Sequence, residues 1–369
     1  MMEYVNLGDV ATYINGYAFK PEHRGKKGLP IIRIQDLNGN SHDLAFFDGK
    51  YPEQVEINTG DILISWSGSL GVYKWNKGKA LLNQHIFKVL FNKIEIDKEY
   101  FCYAIRNSLS SMSQQTHGAT MKHITKKDFD NISIPYPDLI EQKKIANNLN
   151  IVNKLIMFYE KELILFEQMV KARFIEMFGD LKSNEKDCDL KTFEEMSVLI
   201  TDGEHSTPKR TKEGIYLLSA RNVLNHSLQL EDVDYINRDE YLRIAKRVVP
   251  KKGDILISCS GTIGRCCSIP DSLQLQMVRS VALIRFKEVI NPIFAEYMIT
   301  SDYLQEQINS SKTMSSQANL FQGKIRKLKG FLPPTELQQQ FADFVQQVDK
   351  SRFDIKKSIT ELEREVVYD

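Results

Sequence analysis

The chain has no surplus of charge of either sign: 49 Lys plus Arg stand against 48 Asp plus Glu in 369 residues. As a total, that argues against a nucleic-acid binder, which usually carries a basic excess. No apolar run approaches the roughly 20 residues of a membrane span, and Met1-Met2-Glu3-Tyr4-Val5-Asn6 lacks the basic and apolar parts of a signal peptide. A cytoplasmic protein with no membrane partner is expected. Cysteine is scarce: Cys102, Cys188, Cys259, Cys266 and Cys267 are odd in number and form no CxxC pair. That argues against a disulfide framework and a structural zinc site, and leaves them as small apolar side chains, buried or half-buried. No histidine pairs with a second ligand at metal-binding spacing, so no metal is expected. Walker A and GxGxxG strings are missing, since SGSLG and SGTIG do not fit the latter, which argues against nucleotide binding by this chain. What is present, 42% hydrophobic and 26% charged residues, is an ordinary globular composition long enough for two domains, or three with short linkers.

The chain is written twice. Residues 60–71 read GDILISWSGSLG and residues 253–264 read GDILISCSGTIG, nine identities in twelve. Upstream, Leu29 to Asn38 aligns with Ile215 to Leu224; downstream, Asn83 to Val89 aligns with Val278 to Ile284. Pro137 with Gln142 and Ala146 returns as Pro333 with Gln338 and Ala342.

Each copy has two parts. Short apolar runs broken by Gly, Pro, Asn and Asp, such as Ile31–Ile34, Asp61–Ile64 and Ile86–Phe91, predict strands joined by turns. A helix is predicted over Asp97–Ser108, with a counterpart over Asn291–Ser301. The second part changes period: Ile145, Leu149, Val152, Ile156, Tyr159, Leu163, Phe166 and Val170 step by four and three, a heptad-like seam on one long helix ended by Gly179. Leu337, Phe341, Phe344, Val348, Ile355, Ile359, Leu362 and Val366 repeat it, with Ser351 and Arg352 interrupting. Either these are core helices of their own domains, or they pack on each other as an antiparallel pair with one domain at each end. Their length favours the pair.

One string invites a catalytic reading. Asn291-Pro292-Ile293-Phe294 resembles the Asn-Pro-Pro-Phe motif with which adenine-amino DNA methyltransferases hold the target base, but its counterpart is Asp97-Lys98-Glu99-Tyr100. A helix cap with Pro at the first helical position explains both copies. Asp138, Glu141 and Lys143 likewise suit helix initiation better than a metal-dependent nuclease, because the carboxylates fall within one helical turn.

Binding is the remaining class, and partitioning the charge supports it. From Asp138 to Phe178 six basic and six acidic residues cancel, whereas the loops are basic. Lys20, Arg24, Lys26, Lys27 and Arg33, then His117, Lys122 and His123, cluster in the first copy; Lys209 and Arg210, then Lys324, do so in the second. Around them stand side chains able to read base edges: Gln35, Gln84, His85, Gln114, Gln115 and Thr116 in one copy, and Arg221, Asn222, Arg279, Ser280, Gln317 and Asn319 in the other, with His205 a further DNA-binding candidate. Phosphate contacts from Lys and Arg give register and affinity; Arg, Gln and Asn in the major groove give sequence choice. These residues are the candidate DNA-binding set; no catalytic, cofactor or metal residue is assigned.

The doubled GDILIS-x-SG-x-x-G, the Pro plus Gln-x-x-(Ile/Phe)-Ala helix openings and the order of variable domain then helix closely resemble the specificity subunits of type I DNA restriction-modification systems. The resemblance covers essentially the whole chain. It implies an α+β architecture with a pseudo-two-fold internal repeat: target recognition domains at 1–137 and 181–334, and a spacer of two long antiparallel helices, 138–180 and 335–369. It also implies a subunit without activity of its own that reads a bipartite sequence in double-stranded DNA. The expected partners are two methyltransferase subunits and two restriction (translocase-nuclease) subunits, which would carry S-adenosylmethionine, ATP and Mg. A helix of about 33 residues rises about 50 Å at roughly 1.5 Å each, enough for half-sites about 34 Å apart. The competing expectations are a self-contained adenine methyltransferase using Asn291 to Phe294, and a duplicated helical scaffold that binds proteins.

Overall fold

The computed structural model describes residues 3–40, 43–68, 70–115, 125–180, 182–184, 189–271, 273–311 and 319–368. The chain divides into two compact units, Met1–Phe158 with Ile359–Asp369, and Tyr159–Ser358. Strands and helices are mixed in both, as expected for an α+β chain.

In the first unit an antiparallel sheet runs in the order Thr12–Asn15, Ile86–Leu90, Ile62–Ser65, Gly71–Lys74. A mixed sheet runs Phe46–Phe47, Leu29–Ile32, Ala80–Leu82, Glu56–Ile57, with Leu29–Ile32 parallel to Ala80–Leu82. The second unit repeats both. Its antiparallel sheet is Ser197–Asp202, Val281–Phe286, Ile255–Ser258, Cys266–Ser268, and its mixed sheet again holds a parallel pair, Ile215–Leu218 with Leu275–Met277. A two-stranded ladder closes each unit just before its long helix: Tyr4–Asn6 on Ser133–Pro135, and Leu190–Thr192 on Lys329–Phe331.

The shared dodecapeptide builds an interior strand and the turn after it. Ile62–Ser65 and Ile255–Ser258 are buried at every residue, and the preceding Gly60 and Gly253 have φ of 99° and 81°, a left-handed turn that favours glycine. The aspartate of the motif closes that turn: Asp61 accepts from Asn58 N at 2.8 Å and Asp254 from Lys251 N at 2.8 Å. A cation on the neighbouring strand neutralises each carboxylate, Lys88 at 3.1 Å and Arg285 at 2.7 Å. The final serine ties the hairpin, since the Ser258 hydroxyl donates to Thr262 O at 2.6 Å and accepts from Arg265 N at 3.0 Å. SGSLG and SGTIG therefore turn one antiparallel strand into the next and do not open a helix.

Two expectations are corrected in detail. Ile34 starts a helical turn, Ile34–Leu37, instead of ending a strand, because Asp36 accepts from Arg33 N at 2.8 Å and bends the chain. The first domain helix extends over Lys98–Gln115, whereas its counterpart is broken into Pro292–Thr300 and Asp302–Ser310. There Ser301 is extended at ψ 151° and caps the second piece through its hydroxyl.

The long helices are Leu139–Phe178 and Thr335–Tyr368. Gly179, at φ 80°, ends the first. Each start is locked into its domain by the repeated glutamine, which is fully buried in both copies. Gln142 accepts from Asp97 N at 2.9 Å and donates to Pro137 O at 2.8 Å; Gln338 accepts from Asn291 N at 2.9 Å and donates to Pro333 O and Val289 O at 2.9 and 3.1 Å. Every seam position of both helices is buried or half-buried. Within the second unit the two helices pack antiparallel: Phe174 meets Phe341 with centroids 5.3 Å apart, and further back along the first helix Glu167 meets Arg352, further forward along the second, at 3.2 Å. Arg352 thus fills its gap in the seam with an ion pair. Burial raises the thiols of Cys102 to about 11 and Cys259 to about 12, and raises Cys266 and Cys267 as well; Cys188 lies outside the described residues.

Candidate nucleic-acid interface

In each unit the chain passes from the mixed sheet to the antiparallel sheet through a two-residue turn, Gln84-His85 or Arg279-Ser280. Three backbone bonds fix the first turn: Asn83 N to Ile32 O (3.0 Å), Gln84 N to Tyr17 O (3.0 Å) and Trp66 N to His85 O (3.2 Å). Three fix the second: Val278 N to Leu218 O (2.9 Å), Arg279 N to Glu204 O (3.0 Å) and Cys259 N to Ser280 O (2.8 Å). The repeat deduced from sequence holds here bond for bond. Each turn gathers the loop after the first sheet strand, the bend after the Leu29–Ile32 or Ile215–Leu218 strand, and the dodecapeptide hairpin.

The first unit places Gln35, Gln84 and His85 at this junction. Gln35 and Gln84 are exposed; His85 is half-buried at φ 72°, its ring 4.9 Å from that of Trp66. Lys20, Arg24, Lys26 and Lys27 are exposed on the adjoining loop, which Tyr17, Phe19, His23 and Phe47 anchor through ring contacts of 5.0–6.3 Å. Arg33 departs from its expected role. Its guanidinium is held by Asp36 at 3.1 Å and donates to Asp43 O, leaving the side chain 15% exposed. Thr116, His117, Lys122, His123 and Gln317 lie outside the described residues.

The second unit brings together His205, Arg221, Arg279, Ser280 and Asn319. Ser280 Oγ accepts from Ala220 N at 3.1 Å, and Asn319 bridges to Ser260 on the hairpin. Asn222 is the clear correction. It is 1% exposed, accepts from Ser219 N at 2.9 Å, and donates to Gln229 O and Asp232 O at 3.0 and 2.9 Å. It organises the loop as Asp36 does in the first unit, and has no edge left for a base. Lys209 is exposed on the loop entering the mixed sheet, and Lys324 on the short helix Gln322–Arg326 that follows Asn319.

Much of the positive charge here is already paired. Asp234 takes Arg210 at 3.0 Å and Arg221 at 3.4 Å; His205 sits 2.6 Å from Asp202. Arg243 and Arg247, a basic cluster of the second copy outside the candidate set, hold Glu240 and Asp202. A hydrogen bond from Ser206 keeps the Glu204 carboxyl below the ordinary range, and Arg243 does the same to Glu240. Exposed pairs of this kind are worth about 0–1 kcal/mol, so a phosphate can displace the carboxylate. Trp66 was also missed: Nε1 donates to Asn15 Oδ1 at 3.2 Å, and the ring stacks on Phe87 at 5.6 Å. It fills the one non-conservative position of the dodecapeptide, Trp against Cys, and that divergence was its signal.

Asn291 is a cap. Its Oδ1 accepts from Ile293 N at 2.9 Å and Phe294 N at 3.4 Å, while Asp97 accepts from Tyr100 N at 2.9 Å in the first copy. Phe294, fully buried, belongs to the core. Asp138 similarly accepts from Glu141 N at 2.9 Å and starts the central helix. Asn291→Ala is expected to cost about 1 kcal/mol in denaturant unfolding, as loss of a helix cap does; an unchanged unfolding midpoint would contradict the capping role. Among the described residues no group of three or more His, Cys, Asp or Glu could hold a metal ion, and no helix is long and apolar enough to cross a membrane.

A family model described as the type I restriction modification DNA specificity domain matches residues 1–165 and 182–364. The chain is 25% identical to the EcoBI type I specificity subunit of Escherichia coli, over 96% of this chain and 81% of that one. It is 24% identical to the MjaVIII specificity subunit of Methanocaldococcus jannaschii, over 94% and 86%. In fold it is similar to the crystal structure of a type I restriction-modification S subunit from M. genitalium: TM-score 0.55, 14% identity, 99% of this chain and 94% of that chain. A chain from a study of complex assembly and conformational transition of the type I R-M system gives TM-score 0.62 at 15% identity, covering 99% and 95%.

Proposed function

Because the chain belongs to the type I restriction-modification DNA specificity family, we propose that it is the sequence-reading subunit of such a complex, each domain reading one half of a bipartite duplex. The observation that carries this is the repeated junction: one backbone scaffold, built twice, presents different polar side chains at matching places. A duplicated reader of two unlike half-sites requires that combination of kept frame and altered edge. The subunit itself catalyses nothing. Two methyltransferase subunits supply S-adenosylmethionine chemistry, and two translocase-nuclease subunits supply ATP and Mg chemistry, in the cytoplasm. Docking of the methyltransferases on the central helix is supported by Ile151, Leu155, Phe158, Leu165 and Met169, all more than two-fifths exposed and at heptad spacing.

The test is methylation sequencing of DNA from cells carrying the methyltransferase with and without this chain. One bipartite sequence should be modified only when the chain is present. Modification independent of the chain, or at a single contiguous motif, would refute the proposal.

A further inference from the structure

Gln84 and Arg279 occupy the same place in the two domains. Each is the first residue of the junction turn, each donates its backbone N–H at 3.0 Å to the loop after the first sheet strand, and each follows a residue bonded to the end of the Leu29–Ile32 or Ile215–Leu218 strand. The turns differ in what they present. Both side chains are exposed, and neither takes part in the three backbone bonds that fix each turn or in the Ser280 Oγ bond to Ala220 N. Arg279 also differs from its neighbours. Arg210, Arg221, Arg243 and Arg247 lie on carboxylates of their own domain, whereas among the described residues Arg279 has no carboxylate partner. An arginine without a carboxylate, in a domain where these four have one, is set for an acceptor from outside.

The two side chains favour different bases in the major groove. The guanidinium fork donates two parallel bonds to O6 and N7 of guanine; a glutamine amide donates to N7 and accepts from N6 of adenine. Resting on the assignment of the chain as a two-domain DNA reader, we infer that Gln84 and Arg279 are equivalent specificity-determining residues. Gln84 reads an adenine in one half-site, and Arg279 reads a guanine at the corresponding position of the other. The second residue of each turn adds to the difference. His85 is held at φ 72° against Trp66, while Ser280 uses its hydroxyl to accept from Ala220 N. The first residue alone is therefore a solvent-facing reader in both copies.

The test is methylation sequencing of the complete methyltransferase complex carrying Arg279→Gln or Gln84→Arg, together with methylation of duplexes varied one base pair at a time. R279Q should change one guanine of one half-site to adenine, a preference shift on the order of 10-fold or more, and leave the other half-site as it was. Q84R should make the reciprocal change in the other half. R279A should accept any base pair at that one position. Variants that keep the wild-type sequence unaltered would overturn the inference while leaving the two-domain reader intact. Changes in both half-sites from a single substitution would also overturn it. So would loss of all methylation by all three variants, because the side chains replaced do not hold the turn. Absence of any bipartite motif with the wild-type chain would instead overturn the functional proposal beneath it.

Discussion

Phe178→Ala is expected to destabilise the second unit by about 3–5 kcal/mol. Phe178 is the last residue of the central helix and is 2% exposed. Its ring lies 4.9 Å from Phe174, 5.0 Å from Phe294, 5.6 Å from Phe341 and 5.8 Å from Phe331. Those four belong to the same helix, the capped domain helix, the C-terminal helix and the closing ladder. One side chain therefore ties four elements, and its removal leaves a cavity that none of them can fill without moving the others. Leu165→Ala on the same helix, at a site 60% exposed, should change stability by no more than about 0.5 kcal/mol. Loss of helical circular dichroism in denaturant measures both. A cost below about 1 kcal/mol for Phe178→Ala would mean that the helix end is not part of that core.

The same cluster explains what could be read from the sequence. Every position that the heptad period marks on the long helices is buried or half-buried, because steps of three and four mark one helical face whatever covers it. The period could not tell that one end of the second unit's pair, where Phe174 and Phe178 meet Phe341, merges into a domain core, since Phe174 and Met177 carry on the same spacing there. The repeat did more. The positions it aligns, Asn83 with Val278 and Trp66 with Cys259, make matching backbone bonds in the two junctions, because ladder and turn bonds depend on register and not on side-chain identity. It failed where a polar side chain turns inward. By residue type Arg33 belongs with the phosphate-binding cations and Asn222 with the base readers, yet position relative to the bend decides their role. Asp36 and Asn222 accept the matching backbone N–H, of Arg33 and Ser219, at 2.8 and 2.9 Å, and a cap of that kind leaves nothing for DNA. The balance of charge was misleading for a related reason. Arg210, Arg221, Arg243 and Arg247 are offset by local carboxylates, so net charge understates how many cations stand at the junction.

The largest functional effect is expected from exchanging residues 1–137 for the corresponding domain of another specificity subunit. The exchange point falls before the central helix, which begins at Leu139, so Gln142 stays while Pro137, whose carbonyl it bonds, is exchanged with the domain. Both of its anchors, Asp97 N at 2.9 Å and Pro137 O at 2.8 Å, come from the replaced segment, and both are backbone groups, so a donor domain with a capped helix and a closing ladder at those positions restores them. The junction built on Gln84 and His85 is then replaced whole, while that on Arg279 and Ser280 is untouched. Methylation sequencing of the hybrid with its methyltransferase tests the central claim most directly. The account predicts a new sequence in one half of the bipartite target, with the other half and the methylation itself retained; simultaneous change of both halves would contradict it.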